Sequence, residues 1–223
     1  MARPKAVMAW STGKDSAYAL HTARQADKFE IVGILTTLTQ EYNRVSMHGV
    51  REAMLDRHAA ALGLPCTKVW IPPACTNEIY EKAMEAAVLP LKAQGVTHFI
   101  FGDLYLEDVR AYRLKNLEKV GLQAAFPLWL KPTAELAREM IAAGLRATVT
   151  CVDTRKLPAE FAGRTFDAQF LKDLPAGIDP CAENGEFHSC VTAGPMFSAP
   201  IAATVGERVT RGDFVFADLI PSA

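Results

Sequence analysis

Six residues near the amino terminus bring hydroxyl, amine and carboxylate groups together around a glycine, in the order Ser11-Thr12-Gly13-Lys14-Asp15-Ser16. They follow a short apolar run and precede a stretch of helix formers. Unpaired N–H groups and the positive dipole end at the start of a helix bind anions. Ser11 and Ser16 add hydroxyl donors, Lys14 adds a mobile charge, and Gly13 lets the backbone approach a ligand. The segment predicts a phosphate-binding loop, although an ordinary helix cap has a similar composition.

A second polar segment lies far along the chain, from Asp179 to Ser189. Within it Glu183, Asn184, Glu186 and His188 supply two carboxylates, an amide and an imidazole around a glycine. Such a loop can hold a cation, accept hydrogen bonds from an amine or perform acid and base chemistry. A polar surface turn is the alternative, because Asn-Gly is a strong signal for a type I′ turn.

Two smaller groups of residues fall where strands are expected to end. Gly102 and Asp103 close an apolar run, and Arg110 and Arg113 follow on the next helix. Gly102 would let a ribose or phosphate approach the strand, whereas an ordinary turn capped by Asp103 is the alternative. His48 precedes the second predicted helix, at the same sheet edge as the Ser11 loop. A lone histidine in such a place is either structural or part of a site.

The elements that must position these residues alternate between strand and helix in the first half of the chain. Short apolar runs predict strands at 5–10, 30–38, 67–71 and 97–102, and helical patterns fall at 15–25, 50–62, 77–93 and 108–120. Gly63 is placed as a helix C-cap and Thr76 as an N-cap. Alternation of this kind predicts an α/β fold with a Rossmann-like parallel sheet. Ligands bind such sheets beyond the carboxyl ends of the strands, where the Ser11 loop is expected.

The second half loses this alternation, because prolines divide it into short pieces. A helix at 134–143 and strands at 146–152, 201–205 and 213–218 predict a smaller α+β domain. We therefore expect one domain over 1–126 and a second, smaller domain over 127–223. A crevice between domains is a common place for an active site.

The overall composition narrows the class of protein. The 223 residues carry a net charge of −1, which gives no electrostatic footprint for nucleic acid or an anionic membrane. No secretion signal and no apolar stretch of membrane-spanning length is seen in the sequence. The five cysteines are scattered rather than clustered, which favours a reducing cytoplasm. A homodimer is the default expectation for such an enzyme.

Taken together, these motifs resemble a known family. The loop is similar to the SGGxDS signature of the PP-loop ATP pyrophosphatases, with Thr12 in place of the first glycine. The motifs STGKDS, MHG, FGD, PLW and DPCAENGEFHS occur in the order typical of the diphthine ammonia ligase family and its ATP-binding relatives, over nearly the whole chain. The last family motif usually reads GENGE, then an aromatic residue, His and Thr, so Ala182 and Ser189 are departures.

The resemblance implies a reaction and its participants. In the family, ATP activates a carboxylate as an acyl adenylate with loss of pyrophosphate, and ammonia then displaces AMP to leave an amide. ATP and Mg²⁺ are the expected cofactors, and the partners are a carboxylate acceptor and ammonia or an amine. If the acceptor is diphthine, it lies on a translation elongation factor.

The resemblance also distributes roles over the residues. The phosphates would contact Ser11, Thr12, Gly13, Lys14, Asp15 and Ser16, with Asp15 also reaching Mg²⁺. Adenosine would lie against Ala9, Thr36, Thr37 and Leu38, with Gly102 and Asp103 near the ribose or α-phosphate, Arg110 or Arg113 on the phosphates, and His48 beside them. Asp15, Glu183, Asn184, Glu186 and His188 would be catalytic, with His188 moving a proton.

Two other functions remain open from the residues alone. Some PP-loop proteins transfer sulfur to RNA with catalytic cysteine pairs, and Cys181 and Cys190 flank the ENGE segment. The absence of a CxxC motif and of a basic surplus argues against that function. A non-catalytic ATP sensor is the other alternative, and it would not require the polar cluster at 183–188.

Overall fold

The structure is a computed structural model that describes residues 2–222. Ten strands and six α-helices follow in chain order, with one turn of 3₁₀ helix at Ala159–Phe161: β1 (Lys5–Ala9), α1 (Lys14–Ala26), β2 (Glu30–Thr39), β3 (Arg44–Val45), α2 (Glu52–Leu62), β4 (Cys66–Ile71), α3 (Asn77–Ala93), β5 (Val96–Ile100), α4 (Glu107–Lys119), β6 (Gln123–Ala125), α5 (Thr133–Ala142), β7 (Arg146–Asp153), α6 (Ala168–Asp173), β8 (Phe187–Ala193), β9 (Ala203–Arg211) and β10 (Phe214–Pro221).

The first sheet is parallel except at one short strand. Its parallel strands lie in the order β4, β2, β1, β5, β6. Strand β3 pairs antiparallel with the last residues of β2, beyond the end of β1. The middle of β1 is completely buried, as expected for a central parallel strand covered on both faces. The predicted α/β fold with a Rossmann-like sheet is confirmed.

The predicted helix boundaries in this half agree closely with the structure. Gly63 ends α2 in the left-handed conformation, with φ of +66°, and the Thr76 hydroxyl accepts a hydrogen bond from the Ile79 amide at the start of α3. Both cap predictions are confirmed. Two short strands, β3 and β6, were not predicted, because two or three residues are too few for a periodic pattern to emerge.

The second sheet is antiparallel, in the order β8, β7, β10, β9. Strand β8 was not predicted, and it places His188 and Ser189 on a strand rather than in the expected loop. Strand β9 runs over 203–211, whereas the sequence had predicted a shorter strand at 201–205. The predicted small α+β unit is thus present, with one more strand than expected.

The largest apolar cluster takes side chains from both halves of the chain. Leu20 and Met54 of the first half belong to the same cluster as Phe187 and Val215 of the second. A second cluster covers the opposite face of the parallel sheet beneath α3 and α4. The boundary near residue 126 stays a prediction. Within residues 2–222, no helix is long and apolar enough to cross a bilayer.

Candidate active site

The Ser11 loop lies at the switch point of the parallel sheet, where chain connections leave the neighbouring strands β1 and β5 in opposite directions. Gly102 follows β5 and packs against the first turn of α1. A Cβ at Gly102 would lie 2.7 Å from the Asp15 carbonyl carbon and 2.8 Å from the Ser16 amide nitrogen. The close approach of the α1 backbone therefore requires a glycine here, and contact of Gly102 with a ribose or phosphate stays a prediction.

Hydroxyl groups organise the interior of the loop. The Ser11 hydroxyl lies 3.1 Å from the Ser16 hydroxyl and accepts a 3.3 Å hydrogen bond from the Gly13 amide. The Ser16 hydroxyl donates to the Gly13 carbonyl at 3.0 Å. These bonds hold the amides of the loop at the start of α1, where an anion is stabilised.

Two residues of the loop lie in tight surroundings. Thr12 has a φ of +69°, the left-handed region that favours glycine, which accounts for the glycine in the usual family signature. Its side chain is fully buried. A Cβ at Gly13 would lie 2.6 Å from Cε1 of His48, so this glycine admits the imidazole ring.

Strand β8 from the second half forms one wall of the loop. The Val191 amide donates to the Thr12 carbonyl at 2.9 Å, and the Lys14 amide donates to the Ser189 hydroxyl at 3.3 Å. His48 adds a third link, because its Nδ1 lies 2.9 Å from the Ser189 carbonyl oxygen. That contact fixes Nδ1 as the protonated nitrogen. The Ser11 loop is therefore held between both halves of the chain.

The Lys14 side chain does not extend toward solvent. Its ammonium lies 3.0 Å from Asp15 Oδ2, donates to the Cys181 carbonyl and faces the rings of Phe166 and Phe187. Only 3% of the side chain is exposed. Burial opposes the charge, but Asp15 and neighbouring negative groups hold the pKa of Lys14 above its ordinary value. The sequence predicted a mobile charge at Lys14, whereas in the structure its ammonium is buried and held by its partners.

The loop from Asp179 to Glu186 is shaped by Asp179. One carboxylate oxygen accepts hydrogen bonds from the Cys181 amide at 2.8 Å and the Glu183 amide at 3.4 Å. The other accepts from the Thr133 hydroxyl at 2.7 Å, at the start of α5. Gly185 has a φ of +77° but Asn184 does not adopt positive φ, so the alternative type I′ turn is wrong.

Glu183 and Glu186 have different surroundings within this loop. Oε1 of Glu183 accepts a 2.9 Å hydrogen bond from the Leu104 amide, which joins the loop to the segment after β5. Burial raises the pKa of Glu183. Glu186 is 3% exposed, and its Oε1 accepts bonds from the Asp179 amide and the Asn184 side chain, both at 3.2 Å. Its Oε2 is buried without a hydrogen-bond partner, which is costly unless a ligand binds there.

His48 and His188 form a pair of neutral rings beside the loop. Their centroids are 4.8 Å apart. Burial lowers the pKa of His48 to about 4, with a smaller contribution from Lys14. Burial, His48 and Lys14 together lower the pKa of His188 to about 3. Both imidazoles are therefore uncharged at neutral pH, and His188 is a weak proton acceptor.

The predicted arginine and aspartate near the nucleotide contact each other. Asp103 accepts two hydrogen bonds from the Arg113 guanidinium, one of them at 3.0 Å, and the guanidinium stacks over Phe101. Arg110 instead lies over Trp129, 4.9 Å from the ring centre. Arg113 is therefore held by Asp103, whereas Nε of Arg110 is buried without a hydrogen-bond partner, and contact of either arginine with a phosphate stays a prediction.

A cleft of about 170 Å³ opens beside Ser11, over the carboxyl ends of β1, β2 and β5. Ala9, Thr37 and Arg113 line it, and their predicted contacts with a nucleotide stay predictions. Thr36 and Leu38 are buried in the interior instead. The opposite wall comes from α3, through Tyr80 and Met84. These two were not anticipated, since a Tyr and a Met four residues apart on a helix are normally read as packing residues.

The donor groups at the loop suit a magnesium ion that is shared with phosphates. Asp15 Oδ1 is buried without a partner, and burial raises the pKa of this carboxyl group. Among residues 2–222 no cluster of three His, Cys, Asp or Glu side chains forms a metal cage. Mg²⁺ commonly takes one or two carboxylates plus substrate phosphates and water, so a single free oxygen fits that mode.

The cysteines near the site are free and buried rather than reactive. Cys181 and Cys190 are 1% and 0% exposed. Burial raises the pKa of Cys181, and it raises that of Cys190 to about 12. A thiolate, the form that reacts, is therefore disfavoured at both positions.

Comparison with known proteins connects this architecture to a family. The family models for the diphthamide synthase N-terminal and C-terminal domains match residues 4–124 and 132–219. The chain is similar to the diphthine–ammonia ligases of Rattus norvegicus and Homo sapiens, with 26% identity over 93% of this chain and 85% of each relative. The ligase of Danio rerio is 30% identical over half of this chain and 46% of its own length. With most of its length matched by the two models, and with the phosphate loop and the ENGE loop brought to one place, the chain belongs to the diphthamide synthase family.

Proposed function

We propose that this protein is an ATP-dependent ligase that joins a carboxylate to ammonia or an amine through an acyl adenylate. The carboxylate oxygen attacks the α-phosphorus of ATP and pyrophosphate leaves. The nitrogen then attacks the activated acyl carbon, AMP leaves, and an amide forms after the nitrogen loses its proton. Adenylation is chemically necessary because a free carboxylate resists attack by ammonia.

One observation carries the proposal. A loop with the build of an anion site lies next to a buried loop that contains an unpaired carboxylate oxygen, Glu186 Oε2. The first feature suits the phosphates of ATP, and the second suits a cationic or proton-bearing nitrogen. A protein that only senses ATP would not need the second feature.

The residues divide between two half-sites. The amides around Gly13 and the hydroxyls of Ser11 and Ser16 would bind phosphate oxygens, and the cleft at Ala9 and Thr37 would hold adenosine. Mg²⁺, bound by Asp15 and the phosphates, would neutralise charge on the pyrophosphate leaving group. Glu186 would accept a proton from the attacking nitrogen, while Glu183 fixes the loop.

His48 and His188 would lie beside the nucleotide as neutral groups, and His48 would not donate a hydrogen bond to a phosphate oxygen. Because His48 carries its proton on Nδ1, toward the Ser189 carbonyl, its other nitrogen can only accept a hydrogen bond. Transfer of a proton by His188 remains part of the proposal, limited by its low pKa. Asp103 and Arg113 would contact the nucleotide only if the hydrogen bonds between them were broken.

Diphthine is the first acceptor to test, because the relatives above carry the name diphthine–ammonia ligase. Sulfur transfer is not supported by the buried, protonated thiols of Cys181 and Cys190. The same reaction with another carboxylic acid would use the same machinery.

The products of ATP cleavage test the proposal directly. The purified protein is incubated with ATP, Mg²⁺, ammonium and either a diphthine-bearing elongation factor or a panel of carboxylic acids. We expect AMP and pyrophosphate in equal amounts, dependent on the acid, and an amide product that requires ammonium. Release of ADP and phosphate would exclude adenylation, and ATP binding without turnover on any acceptor would favour a sensor.

A further inference from the structure

Lys14 is the residue whose position departs most from the expectation for a phosphate loop. We propose that Lys14 is a positioning residue that couples the phosphate loop to the loop at 181–186, rather than a phosphate ligand. The inference rests on the proposed function, because it describes how the two half-sites communicate.

The contacts of the ammonium group point away from the phosphate loop. Apart from Asp15, the groups around it belong to the second half: the Cys181 carbonyl and the faces of Phe166 and Phe187, 5.8 and 5.2 Å from the ring centres. An ammonium over aromatic rings in a dry site is attracted to them by their negative faces. Withdrawing it to reach a phosphate would leave the Cys181 carbonyl without this partner and the rings without their cation.

The backbone of the same residue is tied to the second half as well. The Lys14 amide donates to the Ser189 hydroxyl, and two positions earlier the Thr12 carbonyl accepts from Val191. A shift of the first turn of α1 on binding an anion must therefore move both the side chain and the amide of Lys14. The shift is transmitted to Cys181, and from there to the loop that contains Glu183 and Glu186.

The charge of Lys14 also acts on groups of both segments. The ammonium lies near the carboxylates of Asp15 and Glu183, and its charge contributes to the lowered pKa of both His48 and His188. One buried cation thus acts on groups from both half-sites. Lysine can do this because its charge is a compact point on a flexible stem.

Hydrogen–deuterium exchange of the Cys181 to Glu186 amides, with and without ATP, separates coupling from phosphate binding. In the natural protein we expect ATP to slow exchange in this segment. In Lys14→Met we expect ATP affinity to change by less than about fivefold, the ATP effect on the segment to vanish, and amide formation to fall by about 10- to 100-fold, as for loss of a typical coupling energy. Lys14→Arg should restore part of the exchange effect. Lys68→Met, which removes another lysine paired with carboxylates in the same half, is the matched control and should behave as the natural protein.

Several results would overturn the inference. A loss of ATP affinity of about 100-fold or more in a folded Lys14→Met protein would identify a direct phosphate ligand. An ATP effect that persists in Lys14→Met, or that is missing in a natural protein that binds ATP, would exclude coupling through this residue. If Lys14→Met does not fold, Ser189→Ala removes the bond to the Lys14 amide alone, and an unchanged exchange effect in that variant counts against the inference. Failure of the natural protein to bind ATP would instead refute the proposed function.

Discussion

At the scale of single residues, Asp15 and Glu186 each hold a buried carboxylate oxygen without a partner, one at the start of α1 and one in the loop that begins at Asp179. Replacing each carboxylate by its amide keeps the shape of the side chain but removes its charge. The two variants therefore separate the nucleotide step from the transfer step, because the unpaired oxygens belong to different loops.

We expect Asp15→Asn to slow ATP-dependent pyrophosphate release by about 100-fold, the scale for losing a charged group that orients a metal or phosphate. Glu186→Gln should leave adenylation near its natural rate and slow the reaction with ammonium by about 10²- to 10⁴-fold, as for a general base. Single-turnover assays of each half-reaction measure both. If Glu186→Gln leaves the complete reaction unaffected, the assignment of Glu186 is incorrect.

The sequence predicted the types of residue at the site better than their partners. Ser11, Gly13 and Ser16 lie where the strand-loop-helix pattern placed them. Lys14, by contrast, follows Gly13 by one position, and nothing local indicates that its side chain turns toward a carbonyl 167 residues later in the chain. Contacts between distant segments are fixed by tertiary packing, which a motif does not encode.

At the scale of elements, β8 forms one wall of the Ser11 loop, and sequence patterns missed this strand. Its residues Phe187, Ser189, Cys190 and Val191 are buried on both faces, so the alternation of apolar and polar residues that marks a half-buried strand is lost. Apart from the three-residue β6, the strands of the parallel sheet were easier to identify, because they are largely apolar runs between helices.

The packing of β5 against α1 gives a prediction at this scale. In Gly102→Ala, the new methyl group would meet the Asp15 and Ser16 backbone, so we expect a loss of about 1–3 kcal/mol in the free energy of unfolding and a marked loss of ATP affinity. Denaturation and calorimetric titration with ATP measure the two effects.

Gly177→Ala is the control for that substitution. Its Cβ would meet no atom within 4 Å, and its φ of +88° costs about 1–2 kcal/mol for a residue with a side chain. It should therefore lose stability to a similar extent and keep its ATP affinity. Equal ATP affinity in both variants would mean that Gly102 does not set the position of the loop.

At the scale of the whole molecule, Asp218 of β10 joins the two halves of the chain through ion pairs with two arginines. It accepts hydrogen bonds from Arg44 at 2.8 Å and from Arg51, including one at 3.0 Å. The bonds from Arg51 lower the pKa of Asp218 to about 2, with Arg44 adding to the effect and burial opposing it.

This lowered pKa predicts a pH dependence of stability. Because the folded carboxyl group has the lower pKa, its contribution is fully present above about pH 4, the unfolded value, and is lost as the pH falls toward 2. We expect Asp218→Asn to cost about 1 kcal/mol at pH 7, with allowance for the exposure of Arg51, and little near pH 2. Urea denaturation across this range measures the difference, and a penalty that is independent of pH would show that the ion pairs do not contribute.

Because β8 forms one wall of the Ser11 loop, the loop depends on a distant part of the chain. Thr12, Lys14 and His48 each bond to backbone or hydroxyl groups of a strand that the chain reaches about 140 to 180 residues later. The six-residue motif consequently does not hold its conformation without β8. Grafted onto another α/β scaffold, it would carry the glycine and the hydroxyls but lose the surface that holds them in register. Substitutions in the Ser11 loop or in β8 should therefore be tolerated only when the other segment changes with them.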